Sequence, residues 1–294
     1  MGNFPGHALP GSFFIIFGLW WTIHMFNRFY LAKARNSKFR SSAIFNCPLL
    51  CGRLKEWPIE AYFKLICVSV GFYLEIKTGF SSDWRFVNIG NGQHATMFFF
   101  FGVNAIVDIL VYFKWPLPPN MEYVSSILAL LCEYLLFKFH LHGRTDLDVL
   151  LHTLLLHAIV ACMVAFALEL KYRDNILCAL SRAYFMLLQG TWFWQIGWIL
   201  YPPFESSFRW DKDDHEQMMI ATMIFTWHAM VVLLTMLAIG GVLAFIHRKM
   251  NLYRKEDTFK FKPLIKPASN GDSVLQLHDE SESDQDIEQT TALT

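Results

Sequence analysis

The fold of this chain is decided by long apolar runs, of which the clearest is residues 150–170, LLHTLLLHAIVACMVAFALEL. An α-helix of about 20 apolar residues is long enough to cross the roughly 30 Å of hydrocarbon in a bilayer. Six further runs, separated by short polar joints, are close to this length. The sequence therefore predicts an all-α, polytopic membrane protein with a bundle of seven transmembrane helices. The predicted spans are residues 13–30, 57–74, 95–113, 123–139, 150–170, 178–201 and 218–246.

The composition agrees with a membrane protein and narrows the classes of function. Of the 294 residues, 54% are hydrophobic and 17% are charged, whereas a soluble domain carries about 25% charged residues. The net charge is zero, which argues against binding to nucleic acid and leaves the lipid bilayer as the expected partner. None of the six cysteines lies in a predicted external loop, so no disulfide framework is expected. Cys47 and Cys51, in the first loop, are either ordinary thiols or palmitoylation sites.

The distribution of basic residues predicts the orientation and resolves the doubtful second span. Glu60 and Lys64 interrupt that span, and a re-entrant or buried segment is the alternative. The first loop and the segment after the last span are both basic, which marks both as cytoplasmic. Two cytoplasmic segments need an even number of crossings between them, so the second span is required, with Glu60 and Lys64 pairing near the inner surface. The amino terminus is then lumenal or extracellular, and the carboxyl terminus is cytoplasmic.

Two regions are expected: a seven-helix transmembrane domain over residues 1–247 and a cytoplasmic acidic tail over residues 248–294. From Asn270 onward there is no Lys or Arg, and the tail is too polar to bury enough apolar surface to fold. Ser281 and Ser283 lie among acidic residues. Serines in such surroundings can be phosphorylated and bound by trafficking adaptors, and the alternative is a tail that only improves solubility.

Eight of the eleven histidines fall on the non-cytoplasmic side of this topology. Ionisable side chains at membrane depth are costly and usually face the interior of the bundle, so they are candidates for function. The eight are His7, His94, His140, His142, His152, His157, His215 and His228.

The densest polar stretch joins the fourth and fifth spans. Glu133 and His140 are seven residues apart and share one helix face, while Asp148 and His152 are four residues apart, one helical turn. A carboxylate one turn from a histidine can accept its second ring N–H and orient the other nitrogen toward a metal or a proton. The short loop between the spans is expected to bring these side chains and His142 together.

Several imidazoles with a carboxylate suit zinc or another borderline divalent metal. No HExxH, HxxxH or CxxC spacing is present, and a histidine at a helix end is more often a structural residue than a ligand. The candidate metal ligands are His94, Glu133, His140, His142, Asp148, His152 and His228, with His7 close to them.

Asn104 and Asp108 form a second polar stripe, on the third span. Asp108 is fourteen residues from His94, or roughly 20 Å along a helix, so the two cannot bind one metal. Asp108 either pairs with a basic group near the inner surface or belongs to a proton path between the two ends. Structural pairing is the favoured interpretation.

The sixth span combines glutamines with glycines. Gln189 and Gln195 can hydrogen-bond across helices, and Gly190 and Gly197 allow close approach of a neighbouring helix. Helix packing is the simpler explanation for the glycines. The two glutamines are kept as candidates for function.

Several motifs resemble the transmembrane protein 45 family, and they include GHALPG at 6–11, QHATM at 93–97, Glu133 with His140 and His142, Leu147 and Asp148 with His152, LQGTWFWQIG at 188–197 and the pair Trp227 and His228. The resemblance extends from residue 1 to about residue 250. It implies a multi-pass protein of Golgi and endolysosomal membranes without an agreed biochemical activity. The residues that fall on motif positions are His7, His94, Glu133, His140, His142, Asp148, His152 and His228.

Three functional hypotheses follow. The favoured one is a non-enzymatic trafficking, scaffold or receptor-like protein of Golgi, endolysosomal or plasma membranes, whose histidines respond to lumenal pH or to a metal. The second is a zinc-dependent hydrolase acting on a lipid at the lumenal face, with Glu133 or Asp148 as general base. The third is a haem or electron-transfer bundle with paired histidines as iron ligands.

Overall fold

The computed structural model describes residues 3–46, 57–204, 210–211 and 213–250. Within these ranges the chain forms helices joined by short connections, with one isolated β-bridge between Phe80 and Phe86. The helices are α1 (Phe4–Ala34), α2 (Ile59–Gly79), α3 (Ile89–Tyr112), α4 (Met121–His140), α5 (Asp146–Lys171), α6 (Ile176–Leu200) and α7 (His215–Lys249).

Each predicted span coincides with one helix, to within a few residues at most of its ends. The largest difference is at α1, which begins at Phe4, before the predicted start at residue 13. Asn3 caps this helix by accepting a hydrogen bond from the Gly6 N–H at 2.7 Å, and Pro5 suits the first turn. The helix therefore carries His7 two turns above the predicted span. At the other end of the chain, α7 continues to Lys249, past the predicted domain boundary at residue 247.

Five of the helices in the described residues, all except α2 and α6, are long and apolar enough to cross a membrane by themselves. The exception of α6 has a physical reason: it packs against α1, α5 and α7, and its Arg182, Gln189 and Trp192 side chains are buried in the bundle. By contrast α7 exposes much of its apolar surface, including Leu234 and Leu237, as expected of a helix that faces lipid.

The contact between α1 and α6 is the most extensive between two helices in the described residues, and glycines permit close approach there. A Cβ atom on Gly190 would lie 2.8 Å from the carbonyl oxygen of Gly11, and one on Gly18 would lie 2.6 Å from Leu187 Cγ. The prediction that Gly190 allows close approach is confirmed. On the other side, α2, α3 and α4 pack in sequence, while the backbones of α1 and α2 make few contacts and meet mainly through side chains such as Trp21 and Glu60. A cavity lies between these two groups of helices.

Several predictions concern residues outside the described ranges. These are the palmitoylation of Cys47 and Cys51, and the acidic tail with Ser281 and Ser283. They remain predictions.

Candidate functional site

A cavity of about 560 Å³ extends along the bundle between α1 and the α2–α4 group. Its middle is lined mainly by aromatic side chains, among them Phe14, Phe17, Trp21 and Phe101. Polar side chains line both ends. We call the end that carries His7, His94, His140 and His152 the histidine end, and the other, where α1 and α7 finish, the opposite end.

The histidine end brings together four imidazoles from four helices. His94 of α3 and His140 of α4 have ring centroids 5.4 Å apart. His7 of α1 and His152 of α5 have ring centroids 5.8 Å apart. All four line the cavity, so the predicted convergence of these residues is observed.

Both ring nitrogens of His140 have partners. Its Nδ1 lies 2.6 Å from Gln93 Oε1, and its Nε2 contacts the Arg144 guanidinium. An amide oxygen only accepts and a guanidinium only donates, so these partners select the neutral tautomer with the proton on Nδ1. His140 is therefore a neutral acceptor for a fixed positive charge.

Asp148 links this histidine end to α5. It accepts a hydrogen bond from Arg144 Nη1 at 2.8 Å, and its Oδ1 lies 2.7 Å from His152 Nδ1, as the one-turn spacing predicts. Burial lowers the pKa of Arg144, but the hydrogen bond and charge of Asp148 outweigh it, so this pKa lies above its ordinary value. Arg144 therefore stays positively charged.

Glu133 lies deeper in the cavity, two turns along α4 from His140. Its side chain is only 2% exposed, and among the described residues its Oε2 has no hydrogen-bond partner and the carboxylate has no ion pair. It shares the cavity with His140, as their spacing predicts, but does not pair with it.

Other predicted site residues lie elsewhere. His142 is exposed and its ring stacks against Phe139, so the expectation that the loop brings it into the cluster is wrong. The physical reason is the helix end: α4 finishes at His140, and two residues later the chain has turned outward. His228 contacts Gln195, with 3.4 Å between Nε2 and Oε1, and lies away from the cavity lining. Gln189 donates to the Phe185 carbonyl of its own helix.

His157 and His215 are exposed, at positions outside the histidine cluster. The Nδ1 of His157 contacts the Thr153 carbonyl of its own helix at 2.7 Å.

Toward the opposite end, Asp108 pairs with Lys64 at 2.5 Å, and Lys64 also donates to Asn104 at 2.9 Å. The favoured interpretation of Asp108, pairing with a basic group, is thus the one observed. Asn104 in turn donates to the Ser125 and Ser126 hydroxyls.

The predicted pairing of Glu60 with Lys64 is wrong. Glu60 instead accepts hydrogen bonds from the Trp20 and Trp21 indoles, at 2.9 and 2.7 Å, and from the Phe45 backbone N–H at 2.7 Å. The loop after α1 folds into the bundle and buries Phe45, and its N–H needs an acceptor there. This tertiary contact outweighs the one-turn spacing on α2.

Sequence reasoning missed a buried ion pair at the opposite end. Arg182 Nε lies 2.7 Å from Glu169 Oε2, with both side chains fully buried, and Tyr123 donates to Glu169. The Arg182 guanidinium lies 4.2 Å from the Trp21 ring centroid. The sequence carried a signal for this pair: Glu169 and Arg182 are charged residues inside two apolar runs, and buried charges need partners.

A metal ion fits the histidine cluster poorly. Across the described ranges, no group of three or more His, Cys, Asp or Glu side chains is arranged to hold one. The Arg144 guanidinium also contacts Nε2 of His140, the unprotonated nitrogen that would bind a metal, and its positive charge would repel a cation there. The metal site, the zinc hydrolase and the haem bundle therefore gain no ligand set from this geometry, and they remain predictions.

Part of the chain is similar to a protein family of unknown function. Residues 120–240 match the model of the family described as "Family of unknown function (DUF716)". The chain is 27% identical to Transmembrane epididymal protein 1A of Mus musculus, over 92% of this chain and 94% of that protein. It is 26% identical to Transmembrane epididymal protein 1 of Rattus norvegicus over the same shares, and 27% identical to the Homo sapiens protein over 63% of this chain and 66% of that protein.

These matches correct one expectation and establish another. The assignment to the transmembrane protein 45 family is wrong, because the relatives carry the name Transmembrane epididymal protein 1 and the matching model is DUF716. The Golgi and endolysosomal location that this assignment implied is therefore no longer supported by it. The chain is an integral, multi-pass membrane protein, as its apolar helices and transmembrane relatives agree.

Proposed function

We propose that this chain is a non-enzymatic, receptor-like membrane protein whose intramembrane cavity is closed by a pH-responsive cluster at the histidine end. One observation carries the proposal: four imidazoles from four helices meet at one end of the cavity, around the Arg144–Asp148 pair. An imidazole exposed to water is neutral near pH 7 and protonated in an acidic compartment, so acidification favours a state in which the cluster opens to water.

Seven spans with the amino terminus lumenal or extracellular form part of the proposal. The connections at the opposite end are rich in basic residues, including Lys33, Arg35, Lys38 and Arg173, and α7 ends with Arg248 and Lys249. Basic residues flanking spans favour the cytoplasmic side. The polar side chains of α2 and α6 have protein partners, which lets these helices cross with the others.

The mechanism rests on repulsion. Protonation of His140 removes the acceptor of Arg144 and places a second positive charge against it. Protonation of both His7 and His152 places two positive charges on neighbouring rings of α1 and α5. Acidification therefore loosens α1 from α5 and breaks the contact between His140 and Arg144. The titratable and charged groups that face this cluster are His7, Glu75, His94, Glu133, His140, Arg144, Asp148, His152 and Tyr201.

The test is hydrogen–deuterium exchange of the protein in nanodiscs, corrected for the intrinsic pH dependence of exchange. We expect the first turns of α1 to exchange faster at pH 5.0 than at pH 7.5, and the difference to shrink in His152→Gln, which removes the imidazole that faces His7. The matched control is His157→Gln, an exposed histidine on the same helix, which should behave as the wild type does. Equal exchange at the two pH values, or an unchanged response in His152→Gln, would overturn the proposal.

We infer Golgi, endolysosomal or plasma membranes as the location, because there the histidine end faces a compartment whose pH can fall. The acidic tail with Ser281 and Ser283 is proposed to bind trafficking adaptors once phosphorylated. Localisation of a tail-truncated chain ending at residue 254 tests this: an unchanged distribution would count against adaptor binding.

A further inference from the structure

Glu133 is the buried ionisable residue of the cavity that has no ion pair and leaves an oxygen without a hydrogen-bond partner in the described part of the chain. Lys64 is compensated by Asp108 at 2.5 Å, Arg144 by Asp148 at 2.8 Å, and Glu75 lies 3.4 Å from His94. Glu133, in contrast, is 2% exposed and leaves its Oε2 without a partner. A buried carboxylate without a partner is costly, so its place in a cavity indicates a group that is still to be supplied.

The surroundings of Glu133 identify the chemistry of that group. Leu130 and Phe137, one turn to either side on α4, line the cavity with it, and Phe14, Phe17 and Trp21 line the facing wall. Aromatic rings attract cations through their π-electron faces, and an apolar lining favours an alkyl chain or ring. A carboxylate among aromatic rings is the combination that recognises a protonated amine with an apolar body.

The cavity also has the size and the access that such a ligand needs. Its volume of about 560 Å³ lies within the roughly 300–1,000 Å³ of typical small-molecule sites. The backbones of α1 and α2 make few contacts with each other, so the gap between these two helices offers an amphipathic molecule a route from the bilayer into the cavity.

We propose that this cavity binds a lipophilic amine, with its ammonium group at the Glu133 carboxylate and its apolar body along the aromatic wall. The inference rests on the proposed function in one respect, since the cavity must admit a ligand. It adds the ligand class and the recognising residue.

The experiment measures saturable binding of tritiated dodecylamine to the full chain in nanodiscs at pH 7.5, after subtraction of empty nanodiscs. Unlabelled dodecylamine, dodecanol and dodecanoic acid are the competitors. We expect the alcohol and the acid to compete at least roughly tenfold more weakly than the amine, because each lacks the positive charge. Glu133→Gln should weaken amine binding by about the same factor.

The matched control is Glu122→Gln, the same change at the other end of α4 and outside this cavity, which should leave binding unchanged. If Glu133→Gln fails to fold, the competitor series on the wild type decides. Amine and alcohol competing equally, or full binding by Glu133→Gln, would overturn the inference and leave the receptor-like proposal standing. Absence of saturable binding for every probe would overturn both.

Discussion

The two ends of the bundle both bury charge, but they treat it differently. At the opposite end, Glu169 and Arg182 are each other's partners, and Glu60 accepts three hydrogen bonds. At the histidine end the charges depend on imidazoles that can gain a proton, and Glu133 has an oxygen without a partner. The contrast teaches that a satisfied buried network stabilises a fold, whereas an incomplete one marks where a ligand or a proton acts.

The largest effect is expected at the satisfied network. Glu169→Gln leaves the Arg182 guanidinium buried without its counter-charge, which costs about 3–5 kcal/mol when one partner of a buried pair is removed. We expect a large fall in thermal stability in nanodiscs. Replacing both partners, in Glu169→Gln with Arg182→Met, should recover part of the loss. If the single variant melts as the wild type does, the pair does not hold this end together.

A smaller and pH-dependent effect is expected for Arg144→Gln. Because the pKa of Arg144 lies above its ordinary value, the wild type keeps this charge at every pH tested. The unfolded chain protonates its histidines near pH 6.5, about the ordinary value, so neutral histidines held beside Arg144 make stability fall as the pH drops below it. Without the guanidinium, His140 can gain a proton at lower cost.

We therefore expect the melting temperature of Arg144→Gln to fall less between pH 7.5 and pH 5.0 than that of the wild type. At pH 7.5 it should be lower, since Asp148 loses a partly buried charged partner, and hydrogen bonds to charged groups are worth about 1.5–3 kcal/mol. A steeper pH dependence in the variant would contradict the assignment of Arg144 as the fixed charge. Arg85→Gln, at an exposed arginine, is the control.

The smallest effect is expected for Glu133→Gln. No ion pair is lost among the described residues, and an amide is cheaper to bury than a carboxylate, so stability without ligand should change by about 1 kcal/mol or less in either direction. The same substitution at Glu169 should thus differ strongly in its effect. Equal destabilisation by the two variants would remove the distinction between the ends.

The sequence was sufficient for the helices and for contacts within one helical turn. Apolar length predicts each helix, and the four-residue spacing predicts the Asp148–His152 contact. The partners of Glu60 were not predictable, because they come from Trp20, Trp21 and Phe45, far away in the chain. Spacing along a helix identifies neighbours on that helix only, and a loop that enters the bundle changes which of them matter.

The cavity escaped prediction for a related reason. The cavity exists because glycines let α1 pack closely against α6, while the backbones of α1 and α2 make few contacts. Both features depend on packing between segments that are distant in the sequence. The position of His142 is a similar case, since the last turn of α4 decides whether it faces inward. Of the two histidines, His140 is a half-buried hydrogen-bond acceptor and His142 is exposed.

The loop after α1 has a consequence for the order of assembly during translation. Arg182 donates to the carbonyl oxygens of Ala43 and Ser42, partners that are synthesised 139 and 140 residues earlier. Until α6 emerges from the ribosome, these carbonyls lack their donor, and Glu169 lacks its ion-pair partner, the same Arg182 guanidinium. The amino-terminal half therefore cannot reach its final form alone, and nascent chains interrupted before α6 should be recognised by membrane quality control as unfinished.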